Sequence, residues 1–300
     1  MQPEPRVSIV CPAYYSHGTI EESLRALLDQ TYQDFEIVVV NSSPETVTQE
    51  IVTQRFPSVR FVQSPVRLYP HAARNLGVTH TRGDLIVFTD PDCIACRDWL
   101  EKIVARMDRG SQAVVGGMGV IRPHWLETGI HLQKFYWCLE GARAGTLSDL
   151  ATANACLARQ VWQQAGPFNA DIFCGDTHLS WKLQRLPTRI DFEPDAVVLH
   201  DHQTTLGRYI HERITRGKEF ARVRSDWFAW SKARALAYLL AAPLTLAVVL
   251  IRAARSCAAA GYGWSYLATF PLQFIGHASW LLGESRAHLE YLRPPRSLKN

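Results

Sequence analysis

The chain has 300 residues, 47% of them apolar and 20% charged, with a formal net charge of +4. That composition describes a folded chain, and the charge is too mild to argue for a nucleic-acid partner, for which no reading motif appears. Seven cysteines in no regular framework suit a reducing compartment better than a secreted disulfide scaffold. Cys93 and Cys96 form a C-x-x-C, but no second pair completes a zinc set, so ordinary thiols are expected there. The opening MQPEPRVSIV holds no apolar stretch of signal-peptide length, and the folded part is expected to stay in the cytoplasm.

Along the chain, VSIV (7–10) reads as a strand closed by Pro12. TIEESLRALLDQT (19–31) places Ile20, Leu24, Leu27 and Leu28 on one helical face, with Glu21 and Glu22 in the first turn, where the helix dipole favours them. FEIVVVN is a second strand, VTQEIVTQRF a helix, VRFVQS a third strand, HAARNLGVTHT a helix opener and DLIVFTD a fourth strand. Strands alternating with helices in this way predict an α/β fold on a mostly parallel sheet. Ligands of such sheets bind at the carboxyl ends of the strands, where Pro12, Asn41 and Asp90 fall. No G-x-G-x-x-G follows the first strand and no P-loop is present, which excludes the dinucleotide and P-loop versions of the pattern.

After residue 111 the pattern turns mixed. QAVVGGMGVI reads as a strand, HLQKFYWCL as a helix, NACLARQVWQQAG as a strand feeding a helix, and DTHLSWKLQRL as an amphipathic helix. RIDFEPDAVVLHDH is strand-like and ends on histidines. Two apolar stretches follow, 235–251 and 258–283, with Arg252 and Arg255 between them. The second is long enough to span a bilayer and the first is at the lower limit. A belt running from Arg208 to Arg234 precedes the pair, and Arg286, Arg293, Arg296 and Lys299 flank its far end. This arrangement predicts a membrane hairpin with both ends cytoplasmic, or a pair lying in the interface. A pair of core helices is the soluble alternative.

The chemistry concentrates in LIVFTDPDCIAC (85–96). A buried strand avoids carboxylates, yet this one ends on Asp90 and Asp92. Such a pair suits a Mg²⁺ or Mn²⁺ ion with a diphosphate as co-ligand, although D-P-D also starts turns. Asp176, after Gly175 and ahead of an amphipathic helix, is either a helix N-cap or a general base. His200 and His202 close the last strand, and either can add an imidazole to a cation's shell, His200 being favoured. Arg74, in HAARNLG, is a candidate phosphate contact.

In order, VSIVCPAYY, LLDQTYQDFEIVVVNSSP, HAARNLGVTHTRGDLIVFTDPD, NACLARQVWQQAGPFN, GDTHLSWKLQ and PDAVVLHDH make residues 7 to about 225 resemble a family 2 glycosyltransferase. The resemblance implies a GT-A fold over 1–225, a nucleotide-sugar donor, a divalent cation (Mn²⁺ or Mg²⁺) and inversion at the anomeric carbon. It places metal and diphosphate binding at Asp90 and Asp92, the catalytic base at Asp176, and nucleotide contacts at Pro12, Tyr14, Asn41, Ser42 and Arg74. Residues 226–300 are then a membrane-associated tail, with a membrane-proximal or lipid-linked glycan acceptor on the cytoplasmic face of the inner membrane.

Three departures stand out. Asn41 and Ser42 replace an aspartate pair that the family often carries. Gly175 replaces the glutamate that usually precedes the base. The Q-x-x-R-W of processive synthases is missing, which implies transfer of a single sugar. A sugar-nucleotide nucleotidyltransferase is disfavoured because CPAYYSHGTI lacks a lysine. A catalytically inactive binding protein with the same fold is the remaining alternative.

Overall fold

A computed structural model describes residues 4–293. Arg296 and Lys299, counted above with the tail's flanking charge, lie outside the described residues, as do the first three residues of the N-terminal reading. The first seven elements follow the expected order: β1 (Val7–Ala13), α1 (Ile20–Leu28), β2 (Phe35–Asn41), α2 (Val47–Arg55), β3 (Arg60–Gln63), α3 (Pro70–Thr79) and β4 (Leu85–Thr89). Then come β5 (Cys93–Ala95), α4 (Trp99–Asp108), β6 (Ala113–Val120), α5 (Trp125–Phe135), β7 (Gly145–Leu147), β8 (Asn154–Ala158), α6 (Arg159–Ala165), α7 (Gly175–Leu183) and β9 (Ile190–His200).

All nine strands form one mixed sheet in the order β3-β2-β1-β4-β8-β6-β9-β5, with β7 also on β9. β1 to β4 are mutually parallel; β8 runs antiparallel to both β4 and β6, which makes the sheet mixed. After β3 the chain crosses back to lay β4 on the other side of β1, so the switch point of the sheet lies between β1 and β4. Ligands of open α/β sheets bind outside the carboxyl ends at such a point. β1 and β4 are buried along their whole length. α1 buries Ile20, Leu24 and Leu27 as its periodicity predicts, whereas Leu28 stays exposed. The seven cysteines are free thiols, Cys93 and Cys96 included.

The chain divides into two compact units, the first running to Pro123 and resuming over Trp137–His202, the second made of His124–Tyr136 and everything from Gln203 onward. The sequence-expected boundary at 225 falls inside α8 (Leu206–Trp227) of the second unit. The unit also contains α9 (Lys232–Leu240), α10 (Ala242–Ala259), α11 (Gly263–Ala268) and α12 (Phe270–Leu292). α8 and α12 pack so closely that a Cβ on Gly217 would stand 2.2 Å from the Trp280 carbonyl oxygen.

Two expectations for the tail change here. Among the described residues, one helix, α10, is long and apolar enough to cross a membrane, and only 11% of it is buried. The stretch 258–283 is not a second apolar helix: it breaks between α10, α11 and α12, and α12 buries a polar stripe of Gln273, His277, Glu284 and His288 inside the unit. Much of the basic belt is engaged internally. Lys218 and Arg222 each donate to Glu290 at 2.6 Å, Arg224 donates to Glu284 at 2.6 Å, and Arg213 lies 4.2 Å over the Trp280 ring. Those side chains brace α12. Exposed apolar side chains occur on α9, α10, α11 and α12, among them Leu240, Leu244, Val248, Ile251, Trp264, Leu267 and Phe274; Trp264 is 86% exposed.

A half-buried ion pair joins α5 to α8 in this unit, Lys134 Nζ lying 3.0 Å from Glu212 Oε1. Burial raises the Glu212 carboxyl, but Lys134, Arg216 and Arg213 outweigh it and hold its pKa at about 2. The folded value is therefore below that of an unfolded glutamate, about 4.3. Its stabilisation is present above that pH and fades as acid carries the solution down toward the folded value. Glu212→Gln is expected to lower the urea midpoint at neutral pH and to shrink the loss of stability between about pH 6 and about pH 3, measured by tryptophan fluorescence. An unchanged difference between the two pH values would show that Glu212 carries none of it.

Candidate active site

Four elements of the first unit, β4, β9, α3 and α7, deliver the polar side chains. β4 ends at Thr89, and Asp90 and Asp92 follow it directly. Asp92 is set by the next strand: β5 pairs antiparallel with β9 in the register Cys93 opposite His200, and the Asp201 amide donates to the Asp92 carbonyl at 2.9 Å. His200 Nε2 therefore lies 3.9 Å from Asp92 Oδ2. The His202 ring stacks on that of His200, centroids 4.3 Å apart, so His200 faces the carboxylate and His202 backs it.

Asp92, Cys93 and His200 present ligand atoms within 4.8 Å of one another. Burial, with Asp92 and Asp90 alongside, pushes the Cys93 thiol well up, which leaves it neutral. A partly exposed carboxylate and an imidazole are a donor set that suits Mn²⁺ or Mg²⁺ as a hard cation sharing oxygen ligands with a phosphate. Asp90 is placed differently. Its Oδ1 accepts from Arg74 Nη2 in a short, charge-assisted contact. Arg74 is buried on α3, so Asp90 is the anion that balances an otherwise unsolvated guanidinium.

α3 also reaches toward Asp176. His71, Arg74 and Val78 share its buried face, at the spacing of successive turns. The Arg74 Nη1 donates to His71 Nδ1 at 3.4 Å, and His71 Nε2 lies 4.0 Å from Asp176 Oδ1. Asp176, His71, Arg74 and Asp90 thus form one line of contacts. Asp176 is not the helix N-cap: Cys174 holds that position, and Asp176 is the second residue of α7, its Oδ1 accepting the Thr177 amide at 2.8 Å. A carboxylate in a helix's first turn is favoured by the dipole.

The remaining sequence candidates divide into two kinds. Pro12 is buried in β1 opposite Val40. Tyr14, just beyond β1, is exposed and has Arg67 over its ring at 4.7 Å. Asn41 is 0% exposed: its amide donates to Gln63 Oε1 at 2.9 Å and its carbonyl oxygen accepts from Ser43 Oγ at 2.8 Å. Ser42 is buried too, donating to the Leu68 carbonyl at 3.4 Å. Those two build the wall behind β2 rather than present a polar edge to solvent.

Sequence reasoning missed three residues here. His71 and Asn75 flank Arg74 in the same motif, and their i, i+4 spacing was the available signal. Asn75 clamps Phe168 from both sides, donating to its carbonyl at 2.9 Å and accepting from its amide at 3.0 Å. Asp149 carries no pattern at all. Burial raises its carboxyl, Ser148 opposes this, and the charge of Asp176 adds to the rise, which marks a second acid in Asp176's electrostatic neighbourhood.

The chain is similar to known glycosyltransferases in sequence and in fold. Glycosyltransferase AglE of Haloferax volcanii is 25% identical over 221 residues, which is 71% of this chain and 72% of that one. The glucosyl-dolichyl phosphate glucuronosyltransferase of the same organism is 24% identical over 246 residues, 76% of each chain. Among solved structures, the mannosyltransferase PcManGT from Pyrobaculum calidifontis, in complex with GDP-Man and Mn²⁺, shares the fold. Its TM-score is 0.64 at 22% identity, over 96% of this chain and 88% of that one. Residues 8–159, just over half of the chain, match the profile of Glycosyl transferase family 2. That match runs from β1 through β4 and both aspartates to the end of β8, and by it the chain belongs to glycosyl transferase family 2 and is a glycosyltransferase.

Proposed function

We propose that the enzyme transfers a single sugar, with inversion, from a nucleotide-sugar donor to a membrane-proximal or lipid-linked acceptor at the cytoplasmic face of the inner membrane. The line of contacts Asp176–His71–Arg74–Asp90 carries the reading, because it ties a carboxylate suited to proton transfer to the carboxylates at the tip of β4. Asp92 and His200 would hold the divalent cation, with Asp90 at the same strand tip. A cation bound there supplies neutralisation of the charge that grows on a leaving diphosphate. Arg74, donating to its Oδ1, orients Asp90. Tyr14 offers an exposed ring for the nucleotide beside Pro12, and Asn41 with Ser42 supports that side from behind.

Asp176 takes the proton of the acceptor hydroxyl as its oxygen bonds to the anomeric carbon and the bond to the diphosphate breaks. Attack and departure on opposite faces invert the centre. The presence of GDP-Man and Mn²⁺ in the solved mannosyltransferase supports the donor class and the cation. The name of the dolichyl-phosphate relative supports a lipid-linked acceptor. The exposed apolar face of α10 and α11, bordered by Arg252 and Arg255, supports a helical region lying on the membrane.

Release of nucleoside diphosphate from a panel of sugar donors, with and without Mn²⁺, tests the reaction class. Asp176→Asn is expected to cut turnover at least about a hundredfold while donor binding holds within about threefold; wild-type turnover removes Asp176 from the reaction. Asp92→Ala is expected to abolish Mn²⁺-dependent donor binding in calorimetry, and a wild-type titration rejects its role. Leu244→Glu combined with Leu267→Glu is expected to release the protein from sedimenting liposomes that contain anionic lipid. Retention of the double variant on the liposomes counts against the α10–α11 face.

A further inference from the structure

We propose that His71 is the positioning residue of Asp176, filling the volume that a side chain at residue 175 would occupy and fixing the turn that presents the carboxylate. The proposal rests on the reading of Asp176 as the base. His71 is 2% exposed, and a buried imidazole needs both ring nitrogens satisfied. The side facing Arg74 settles the tautomer. A guanidinium only donates, so Nδ1 accepts, and the ring proton sits on Nε2. Nε2–H then donates to the Phe173 carbonyl at 2.9 Å.

That carbonyl immediately precedes the N-cap of α7, so the bond fixes the approach of the chain to Asp176. At 4.0 Å the Nε2–Asp176 separation is too long for a direct hydrogen bond, and the influence runs through the backbone of 173–176. The ring is itself held. Phe168 packs on it with centroids 4.8 Å apart, and Asn75 clamps the Phe168 backbone from the same helix.

The packing explains Gly175. A Cβ built there would stand 2.6 Å from His71 Cδ2 and 2.7 Å from Cγ, a distance that real Cβ atoms do not tolerate. Gly175 is absent from the positive-φ residues, so space and not backbone conformation demands a glycine. His71 and Gly175 are therefore one device: a ring from α3 replaces a side chain from α7. Because Arg74 holds the ring on one side and Asp90 on the other, the device also ties the base to the donor end of the site.

The test uses the full chain with whichever donor the panel identifies. His71→Phe keeps a ring but loses the hydrogen bond; kcat is expected to fall about tenfold or more with donor KM within about threefold. His71→Gln retains an N–H donor of similar reach and is expected to recover most of that loss. Gly175→Ala is expected to lower kcat on its own yet to add nothing in a His71→Ala background, because the collision is gone. Binding of Mn²⁺ with the nucleoside diphosphate, by calorimetry, confirms that each variant is folded. Wild-type kcat in His71→Phe, or effects of His71→Ala and Gly175→Ala that multiply, overturns the proposal. If His71→Phe does not fold, the Gly175 pair decides alone. Asp176→Asn is run alongside: full activity there defeats the reading of the base, whereas an inactive Asp176→Asn with an unaffected His71→Phe defeats only the positioning role.

Discussion

A carboxylate at the end of a fully buried strand has to be met by a cation or by water, and at Asp90 the answer is Arg74. The guanidinium is as buried as the strand is, and the partly exposed Asp90 is the anion that makes its burial tolerable. Because Arg74 sits on the helix that crosses from β3 to β4, the pair fastens that crossover to the strand tip it serves. The switch point between β1 and β4 opens beside it. His71, one turn earlier on the same helix, extends the attachment to α7. Most of the site's geometry descends from one face of α3.

The parallel half of the sheet was legible in the sequence because β1, β2 and β4 are apolar runs set apart by helix-length polar stretches, of which α1 has a clear 3.6-residue period. The D-P-D tip was legible because two charges directly after LIVFT contradict burial. Other features were not. β5 and β7 have three residues each, too short for any alternation to register. Asn41 reads as a ligand contact when seen as a polar residue closing a strand; only the neighbouring β3, through Gln63, shows that its amide is already engaged. His71 lies 102 residues from its carbonyl acceptor, a separation across which no periodicity carries information.

In the second unit, charges read from composition as a flanking belt also serve the packing of helices. A basic run ahead of an apolar run suggests a membrane anchor, yet several of the arginines and lysines on α8 reach across to Glu284, Glu290 and Trp280 of α12. Lys218 and Arg222 meet Glu290 at the surface, whereas Arg224 meets Glu284 in a largely buried pair. Exposed apolar side chains run over α9 to α12, Leu240, Trp264 and Leu244 the most open among them.

The pairing of β6 with β9 is interrupted between Gly116 and Gly117: Gly116 lies opposite Glu193 and Gly117 opposite Val197, leaving Pro194–Ala196 looped out of the ladder. Asn154 stitches both lips of this gap, donating to the Gly117 and Ala196 carbonyls at 2.9 Å each. Since a slip of one residue turns every later side chain to the opposite face, insertions or deletions between Val197 and His200 rotate the imidazole away from Asp92. Within 194–196 the chain is packed instead of paired: a Cβ on Gly116 would stand 2.3 Å from the Ala196 carbonyl oxygen and one on Gly117 2.2 Å from that of Pro194. Two glycines of β6 thus make the room that the looped-out residues fill, and β9 re-enters its ladder in a register already set before His200 is reached.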